Sequence, residues 1–274
     1  GMVLENGTMY VGLMGNQGSA AGFQTFDTQN KQWGYGSLIA GLPSNIVRDF
    51  VNYGDHVLIA THGGIGMFNT TRNDWDNPIT TINGLPSPII EHLHVLNTTI
   101  QGGGKVLAGG SAGMTVLEEN NLTILNTLDF NDGLMGNTIS GITESGPVSR
   151  VVQNPDGTNT TIYHDASIFI SHNGQGPTRP GVAAWDLATD EVNGTYNIDM
   201  IPSNDVRAIV GDDWGVHIAT DVSPLVHWNG STLQMETGSG IEALQSWPPY
   251  EMHSNGQHLV VMSPRGLDVV DVYG

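Results

Sequence analysis

Apolar and polar residues are arranged along this chain in short runs that are separated by glycine-containing turns. The clearest stretch is residues 41–69, where turns at Gly54 and at Gly63-Gly64 separate the apolar runs 46–51, 57–60 and 65–69. Runs this short, rich in β-branched residues and bounded by glycine, predict β-strands rather than helices. The run 57–60 has no polar position, which predicts a strand buried on both faces.

The chain repeats this pattern. Residues 42–48 read LPSNIVR and residues 201–207 read IPSNDVR, and each segment is followed by an apolar strand that ends in Ala-Thr, at 57–61 and 216–220. Weaker copies restart elsewhere, so the restarts fall at 41, 84, 133, 200 and 240, which are 43, 49, 67 and 40 residues apart. Periods of about 40 to 50 residues with several strands each are typical of propeller blades.

We therefore predict an all-β fold, a β-propeller of four-stranded antiparallel blades. Six copies, the first beginning near Met2, predict six blades; a seventh, missing or hidden in the fourth copy, is the alternative. The prediction treats residues 1–274 as a single propeller domain. Because the sixth copy lacks a fourth strand, either the ring closes imperfectly or the domain was excised from a longer polypeptide.

The fourth copy, 131–199, is longer than its neighbours because of two insertions. The first, 145–165, predicts an extra hairpin whose turn is Asn154-Pro155-Asp156-Gly157. The second, 173–180, is a glycine- and proline-containing loop between the second and third strands. Insertions in repeat proteins map to loops, often on the binding face.

The repeat unit resembles the two-component-regulator propeller repeat, a sensor-type family. The resemblance rests on the Gly-Leu-Pro-Ser-Asn turn, on the apolar strands that end at Thr61 and Thr220, and on third-strand segments such as Trp185-Asp186. The tryptophan that is frequent in the family's strand is absent from all copies. The resemblance covers nearly the whole chain; it implies a propeller scaffold and an extracytoplasmic sensor role, with ligands that vary among members.

Composition excludes several classes of partner and of chemical site. The formal net charge of −19 disfavours nucleic acid and anionic membranes as partners, since both would be repelled. The absence of cysteine excludes disulfides, zinc-thiolate sites and thiol catalysis, and no apolar run is long enough to span a membrane. Seven Asn-x-Ser/Thr sequons would suit an exported glycoprotein, although an Asn-rich all-β chain also places Asn in turns: Asn6, Asn69, Asn97, Asn121, Asn159, Asn193 and Asn229.

The loops between second and third strands are the first place to look for a site. Aligning the copies places one residue of each directly after the Thr61 position: Met14, His62, Ser111, His172, Asp221 and Ser263. His62, His172 and Asp221 are therefore candidate ligand-binding residues, because imidazole and carboxylate bind metals and polar ligands. The alternative is that these side chains hydrogen-bond turn backbones, and we assign no metal site and no cofactor.

Arginine supplies a second set of candidates, since the chain has only eight basic residues. Arg48 and Arg207 occupy equivalent positions on inner strands and could bind an anionic or sugar ligand through the guanidinium fork. The alternative is pairing with a neighbouring acid. Arg179 is a further candidate in the 173–180 loop.

These patterns favour a non-catalytic module that senses a ligand or binds another protein, as part of an exported or cell-surface protein. The expected partners are a small molecule, a carbohydrate or a protein. The alternative is a propeller-fold lyase or hydrolase that acts on a carbohydrate or lactone, with His62, His172 and Asp221 at its centre; a cluster of strongly shifted pKa values on the loop face would favour it.

Overall fold

The computed structural model describes the chain except for residues 14–21, 35–40, 98–103, 154–155, 165, 173–180, 187–190, 197–200, 213, 223–224, 230–232, 236–247 and 272–274. The described part contains 25 β-strands and two single-turn 3-10 helices, at Thr81–Asn83 and Phe130–Asp132. It divides into two compact units, Gly1–Asp129 and Phe130–Gly274. No helix in this described part is long and apolar enough to cross a membrane.

The first unit contains three four-stranded antiparallel sheets in which the strands follow chain order. The first sheet comprises β1 (Met2–Glu5), β2 (Thr8–Gly12), β3 (Phe23–Asp27) and β4 (Gln32–Gly34). The second comprises β5 (Val47–Tyr53), β6 (His56–Thr61), β7 (Gly64–Asn69) and β8 (Asp74–Ile79). The third comprises β9 (Ile90–Val95), β10 (Val106–Gly110), β11 (Gly113–Leu117) and β12 (Ile124–Leu128).

The second unit contains the remaining three sheets and one separate hairpin. The fourth sheet comprises β13 (Ile139–Ser145), β16 (Ser167–His172), β17 (Val182–Asp186) and β18 (Glu191–Tyr196), and the hairpin comprises β14 (Val148–Gln153) and β15 (Asn159–His164). The fifth comprises β19 (Val206–Asp212), β20 (Gly215–Thr220), β21 (Val226–Trp228) and β22 (Leu233–Met235). The sixth comprises β23 (Glu251–Ser254), β24 (His258–Ser263) and β25 (Gly266–Asp271).

The predicted all-β propeller with six antiparallel blades is confirmed, and each sheet is one blade. The sixth blade has three strands in the described part, as its sequence predicted. The insertion in the fourth copy forms the two-stranded hairpin β14–β15, so no seventh blade is hidden in that segment.

The inner strand is the first strand of each blade, and three inner strands start after a Leu-Pro-Ser or Ile-Pro-Ser turn that makes the same hydrogen bond. The Oγ atoms of Ser44, Ser87 and Ser203 each accept a hydrogen bond from the backbone N–H two residues later, at 3.2, 3.1 and 3.2 Å. A serine hydroxyl that bonds its own backbone in this way fixes a tight turn before the chain becomes extended.

The second strands form the core, as their continuous apolar runs predicted. Val57, Leu58, Ile59 and Ala60 of β6 are fully buried. Leu58 packs in a cluster with residues of the third sheet, including Ile90 and Val106. Burying a side chain of this size stabilises a fold by about 1.5 to 3 kcal/mol, so contacts between neighbouring blades hold each unit together.

Two of the seven sequons are structural turn residues rather than accessible sites. Asn69 and Asn229 are only 4% and 7% exposed. The Asn69 side chain accepts a hydrogen bond from the backbone N–H of Arg72 at 2.7 Å, which closes the turn between β7 and β8. Asn69 therefore serves as a turn residue, as expected for an Asn-rich all-β chain.

Candidate functional site

Four inner strands carry a β-bulge at the same position. In the second sheet Val47 pairs with Thr61 and Asp49 pairs with Ala60, so Arg48 is the extra residue. The same shift in the next three sheets makes the extra residues Glu91, Ser140 and Arg207. A bulge redirects its extra side chain, and bulges often lie beside functional sites.

The residue before each bulge is apolar and buried. The exposed fractions are 7% for Val47, 2% for Ile90, 1% for Ile139 and 1% for Val206. The bulged residues themselves are all polar and all at least partly exposed. Each inner strand is therefore anchored by an apolar side chain and presents a variable polar side chain one residue later.

In the first unit the bulge brings together three polar side chains, Arg48, His62 and Glu91, which we call the Arg48 cluster. Arg48 Nε lies 2.8 Å from His62 Nε2 and 3.0 Å from Glu91 Oε2. His62 Nε2 lies 3.1 Å from Glu91 Oε1. The side chains of Arg48, His62 and Glu91 are 37%, 23% and 27% exposed, so the cluster is accessible to solvent.

The hydrogen bonds of the Arg48 cluster leave donors available. His62 Nε2 can accept from Arg48 or donate to Glu91, depending on its tautomer, but it cannot do both. The hydrogen bonds of Arg48 use Nε, and its two terminal amino groups make none to the described residues. These two amino groups therefore remain available as donors on a side chain that is 37% exposed.

A partly buried carboxylate, Asp49, lies next to Arg48 in the chain and joins the strands of the cluster. Asp49 accepts hydrogen bonds from the backbone N–H groups of Phe50, at 2.9 Å, and Leu93, at 3.0 Å. His92 Nδ1 lies 4.0 Å from Asp49 Oδ2. Burial raises the pKa of Asp49, while His92 and the two backbone donors act in the opposite direction. Asp49 thereby joins the inner strands that carry Arg48 and Glu91.

In the second unit, Arg207 lies beside two aspartates. Arg207 Nη2 donates to Asp205 Oδ2 at 2.6 Å, and the backbone N–H of Asp221 donates to the Asp205 carbonyl at 2.9 Å. The Oδ1 atoms of Asp205 and Asp221 are buried and accept no hydrogen bond from the described residues. Arg207 is thus paired with an acid, Asp205, and a backbone hydrogen bond places Asp221 at the same end of β19 and β20.

His172 does not occupy the position that the alignment of copies gave it. Its strand partner is Ile139, just as Thr61 pairs with Val47, so His172 corresponds to Thr61 rather than to His62. The alignment was wrong by one residue here because the 173–180 insertion follows at once. Ser263 is displaced in the same way, since it pairs with Gly266 as Thr61 pairs with Gly64.

His172 is also fully buried rather than exposed on the loop face. Neither ring nitrogen makes a hydrogen bond of ordinary geometry to the described residues. Burial lowers the pKa of His172 to about 4, although the carbonyls of Gly136 and Thr138 lie near enough to raise it somewhat. His172 is therefore neutral in the folded protein near pH 7.

The remaining candidates divide as follows. His62 and Asp221 do follow their second strands, because their N–H groups donate to the equivalent carbonyls of Ile46 and Asp205. Arg48 and His62 share the first unit; Arg207, Asp221 and His172 lie in the second; Arg179 falls outside the described residues. Glu91 was not predicted from the sequence, although in the alignment of the copies it occupies the same position in the third copy as Arg48 and Arg207 do in theirs.

Two observations bear on the enzyme alternative. Among the described residues, no group of three or more His, Asp or Glu is placed to hold a metal ion. The pKa of His172 is lowered to about 4 and the pKa of Asp212 to about 2, and these two groups lie at opposite ends of neighbouring blades, while the pKa of Asp49 is raised. β13 and β19 lie side by side: the Ser140 hydroxyl donates to the Val206 carbonyl at one end, and the Gly211 N–H donates to the Thr143 hydroxyl at the other. His172 lies at the first of these ends and Asp212 at the second.

Known structures share this fold at low sequence identity. The extracellular domain of BT4673 from B. thetaiotaomicron, assigned as a hybrid two-component system, matches with a TM-score of 0.68 and 14% identity, over 99% of this chain and 35% of that one. PorZ from Porphyromonas gingivalis, a bacterial surface component of the type IX secretion system, gives 0.58 and 14%, over 99% and 40%. Sqt1 from Saccharomyces cerevisiae gives 0.59 and 13%, over 98% and 69%.

These likenesses confirm the fold expected from the two-component-regulator propeller repeat. The chain spans about a third of the BT4673 domain, 32% and 35% in two crystal structures. No protein-family model matches the sequence, and no curated protein matches it.

Proposed function

We propose that this chain is a non-catalytic binding module of an exported or cell-surface protein and that it recognises a neutral, hydroxyl-rich ligand, a carbohydrate, at the Arg48 cluster. The observation that carries the proposal is the set of hydrogen bonds at Arg48. Its Nε lies 2.8 Å from His62 Nε2 and 3.0 Å from Glu91 Oε2, and its terminal amino groups make no hydrogen bond to the described residues.

The cluster offers both kinds of hydrogen-bonding group that a sugar hydroxyl requires. A hydroxyl donates one hydrogen bond and accepts others, so it pairs with the Arg48 amino groups and the Glu91 carboxylate at once. A site with only basic residues would favour anions. The carboxylate in contact with Arg48 shifts the preference toward neutral polar ligands.

The charge of the whole chain supports the same ligand class. A net charge of −19 repels polyanions at long range, whereas it has little effect on a neutral sugar. The extracytoplasmic location belongs to the same proposal. It is supported by similar folds in an extracellular domain and in a bacterial surface component.

The test is calorimetric titration with a panel of neutral oligosaccharides and their uronic-acid counterparts. We expect a neutral member to bind, and Arg48→Gln or Glu91→Gln to weaken it about tenfold or more, the scale of a charge-assisted hydrogen bond. Arg72→Gln is the matched control, because Arg72 is half-exposed in the same sheet and pairs with Asp74 and Asp76.

Binding that survives Arg48→Gln unchanged would remove the site from the Arg48 cluster and direct attention to Arg207 and Asp221. Tighter binding of the uronic acids would contradict the neutral ligand class. Turnover of a bound sugar would show that the chain is a lyase or hydrolase rather than a non-catalytic binding module.

A further inference from the structure

The turn between β11 and β12 carries a glycosylation sequon on the surface of the third blade. The turn comprises residues 118–123, and it lies within a segment that the structure describes without a gap. Asn121 and Thr123, the two residues that define the sequon, are exposed. Leu122 between them is 6% exposed and belongs to the same core cluster as Leu58. The buried leucine therefore anchors the turn while the sequon residues remain accessible.

Hydrogen bonds within the turn orient the Asn121 carboxamide. Asn121 Oδ1 accepts from the backbone N–H of Thr123 at 2.9 Å, which forms an Asx turn. The Thr123 hydroxyl lies 2.9 Å from Asn121 Oδ1 and 2.9 Å from Glu118 Oε2, and it can donate to either oxygen. Asn121 Nδ2 donates to Glu118 Oε2 at 3.0 Å. The carboxamide oxygen thus closes the turn, and the nitrogen uses one of its hydrogens.

The Asn121 nitrogen can carry a sugar while these hydrogen bonds persist. Nδ2 has two hydrogens, and the bond to Glu118 needs one of them. An N-linked sugar replaces one hydrogen of the amide nitrogen and leaves the other in place. The linkage does not alter Oδ1, which accepts from Thr123. The folded turn is therefore compatible with a glycan at Asn121.

Four other sequons lack this combination of an exposed asparagine and an accessible turn. Asn69 and Asn229 are 4% and 7% exposed, so a sugar at either one would require its surroundings to open. Asn6 and Asn159 are exposed, but the threonines of their sequons belong to the strands β2 and β15. Of these five sequons, the one at Asn121 is best placed for modification.

We propose that Asn121 carries an N-linked glycan, an inference that rests on the export proposed above. The donor is an oligosaccharide linked to a lipid phosphate or pyrophosphate, and the enzyme is an oligosaccharyltransferase. A bond forms between Asn121 Nδ2 and the anomeric carbon of the first sugar, and the bond from that carbon to the phosphate oxygen breaks. The phosphate keeps the electron pair, and one proton leaves Nδ2 for a base of the enzyme.

Tryptic peptides of the protein separate this sequon from a buried one. Residues 106–150 contain Asn121 as their only sequon, and residues 49–72 contain Asn69 as theirs. The protein is purified from the cell surface or culture medium of the organism that makes it, and its peptides are analysed by mass spectrometry. We expect a glycan on peptide 106–150 and none on peptide 49–72, and fragmentation should locate the added mass on Asn121.

Substitutions at Thr123, made in the same organism, test the role of the sequon. Thr123→Ser keeps the hydroxyl and should keep the glycan, whereas Thr123→Val removes the hydroxyl and should abolish the glycan. Thr127→Val is the matched control, because it removes an exposed hydroxyl of β12 that belongs to no sequon. Since both positions are exposed, the unfolding midpoint should change little in all three variants.

An unmodified peptide 106–150 in protein recovered outside the cytoplasm would overturn the proposal. A glycan that persists in Thr123→Val, or one found on Asn69 and not on Asn121, would overturn it too. Protein found unmodified and only in the cytoplasm would overturn both the glycan and the proposed export. Sugar binding by the Arg48 cluster is measured separately on Asn121→Gln, so its failure would leave the result at Asn121 unchanged.

Discussion

Asp49, on the inner strand of the second blade, accepts a hydrogen bond at 3.0 Å from the backbone N–H of Leu93, on the inner strand of the third. A side chain of one blade thereby satisfies a main-chain donor of the next. The same carboxylate, which is partly buried, accepts from the N–H of Phe50 at 2.9 Å, so one group holds two inner strands together.

Asp49→Ala should therefore lower the free energy of unfolding by about 1 to 2 kcal/mol, because two backbone donors lose their acceptor at a partly buried position. Urea unfolding followed by tryptophan fluorescence measures the change. Asp74→Ala is the control, since Asp74 forms an exposed ion pair with Arg72 and its loss should shift the midpoint little. Equal effects of the two substitutions would contradict a bridging role for Asp49.

His172 should make the fold sensitive to acid. Its pKa is lowered to about 4 by burial, so between pH 6.5 and about 4 the unfolded chain binds a proton that the folded chain does not. The stability associated with neutral His172 is complete above pH 6.5 and falls as the pH decreases toward 4, by on the order of 3 kcal/mol.

His172→Leu should remove this slope, and unfolding at a series of pH values from 4 to 7 tests it. His258→Leu is the control, because His258 is exposed. An unchanged slope in the His172 variant would show that other groups cause the acid sensitivity.

Gly110 should tolerate no side chain. A Cβ built at Gly110 overlaps the carbonyl oxygen of Ile89, a backbone atom that cannot move without displacing the inner strand. Gly110→Ala should lower the free energy of unfolding by more than about 2 kcal/mol. At Gly54 nothing lies within 4 Å of the added Cβ, and only its φ of 56° opposes alanine.

Gly54→Ala should accordingly lower the free energy of unfolding by only about 1 kcal/mol, the cost of a left-handed conformation. Thermal unfolding of the two variants side by side distinguishes overlap from backbone strain. A larger loss in Gly54→Ala than in Gly110→Ala would contradict the packing between Gly110 and Ile89.

The hairpin β14–β15 should be dispensable for folding. Its strands pair only with each other among the described strands, whereas β13 and β16 pair directly across the insertion. Replacing residues 148–164 by two glycines should leave the circular dichroism spectrum and Tm nearly unchanged. Deleting β18, which covers β17, should instead cause loss of folded protein, and an equally severe loss from the hairpin deletion would show that it supports a blade.

The fold was predictable because the turns and strands of the repeat are determined by residues close together in the sequence. The serines of the Leu-Pro-Ser and Ile-Pro-Ser turns and the apolar runs at 57–60 and 216–220 act within a few residues, so the sequence shows them directly. The six-copy count and the extra hairpin followed from spacing.

The site was only partly predictable. Arg48 and His62 were identified, but Glu91 was not, because the pairing of Arg48 with Glu91 depends on how neighbouring blades align rather than on one repeat. His172 was misplaced by one residue because an insertion adjoins it, and a shift of one residue in a strand exchanges an exposed side chain for a buried one.

At each of the four bulges, a buried apolar residue anchors the inner strand and the next residue, which is polar, is at least partly exposed. Arg48, Glu91, Ser140 and Arg207 lie outside the ladder pairing, and the apolar residue before each one is buried. We expect substitutions at 48, 91 and 207 to leave strand register unchanged, whereas a substitution at 140 also removes the hydrogen bond from Ser140 to Val206. A library randomised at 48, 91 and 207 would therefore vary the exposed polar side chains while the strand pairing stays the same.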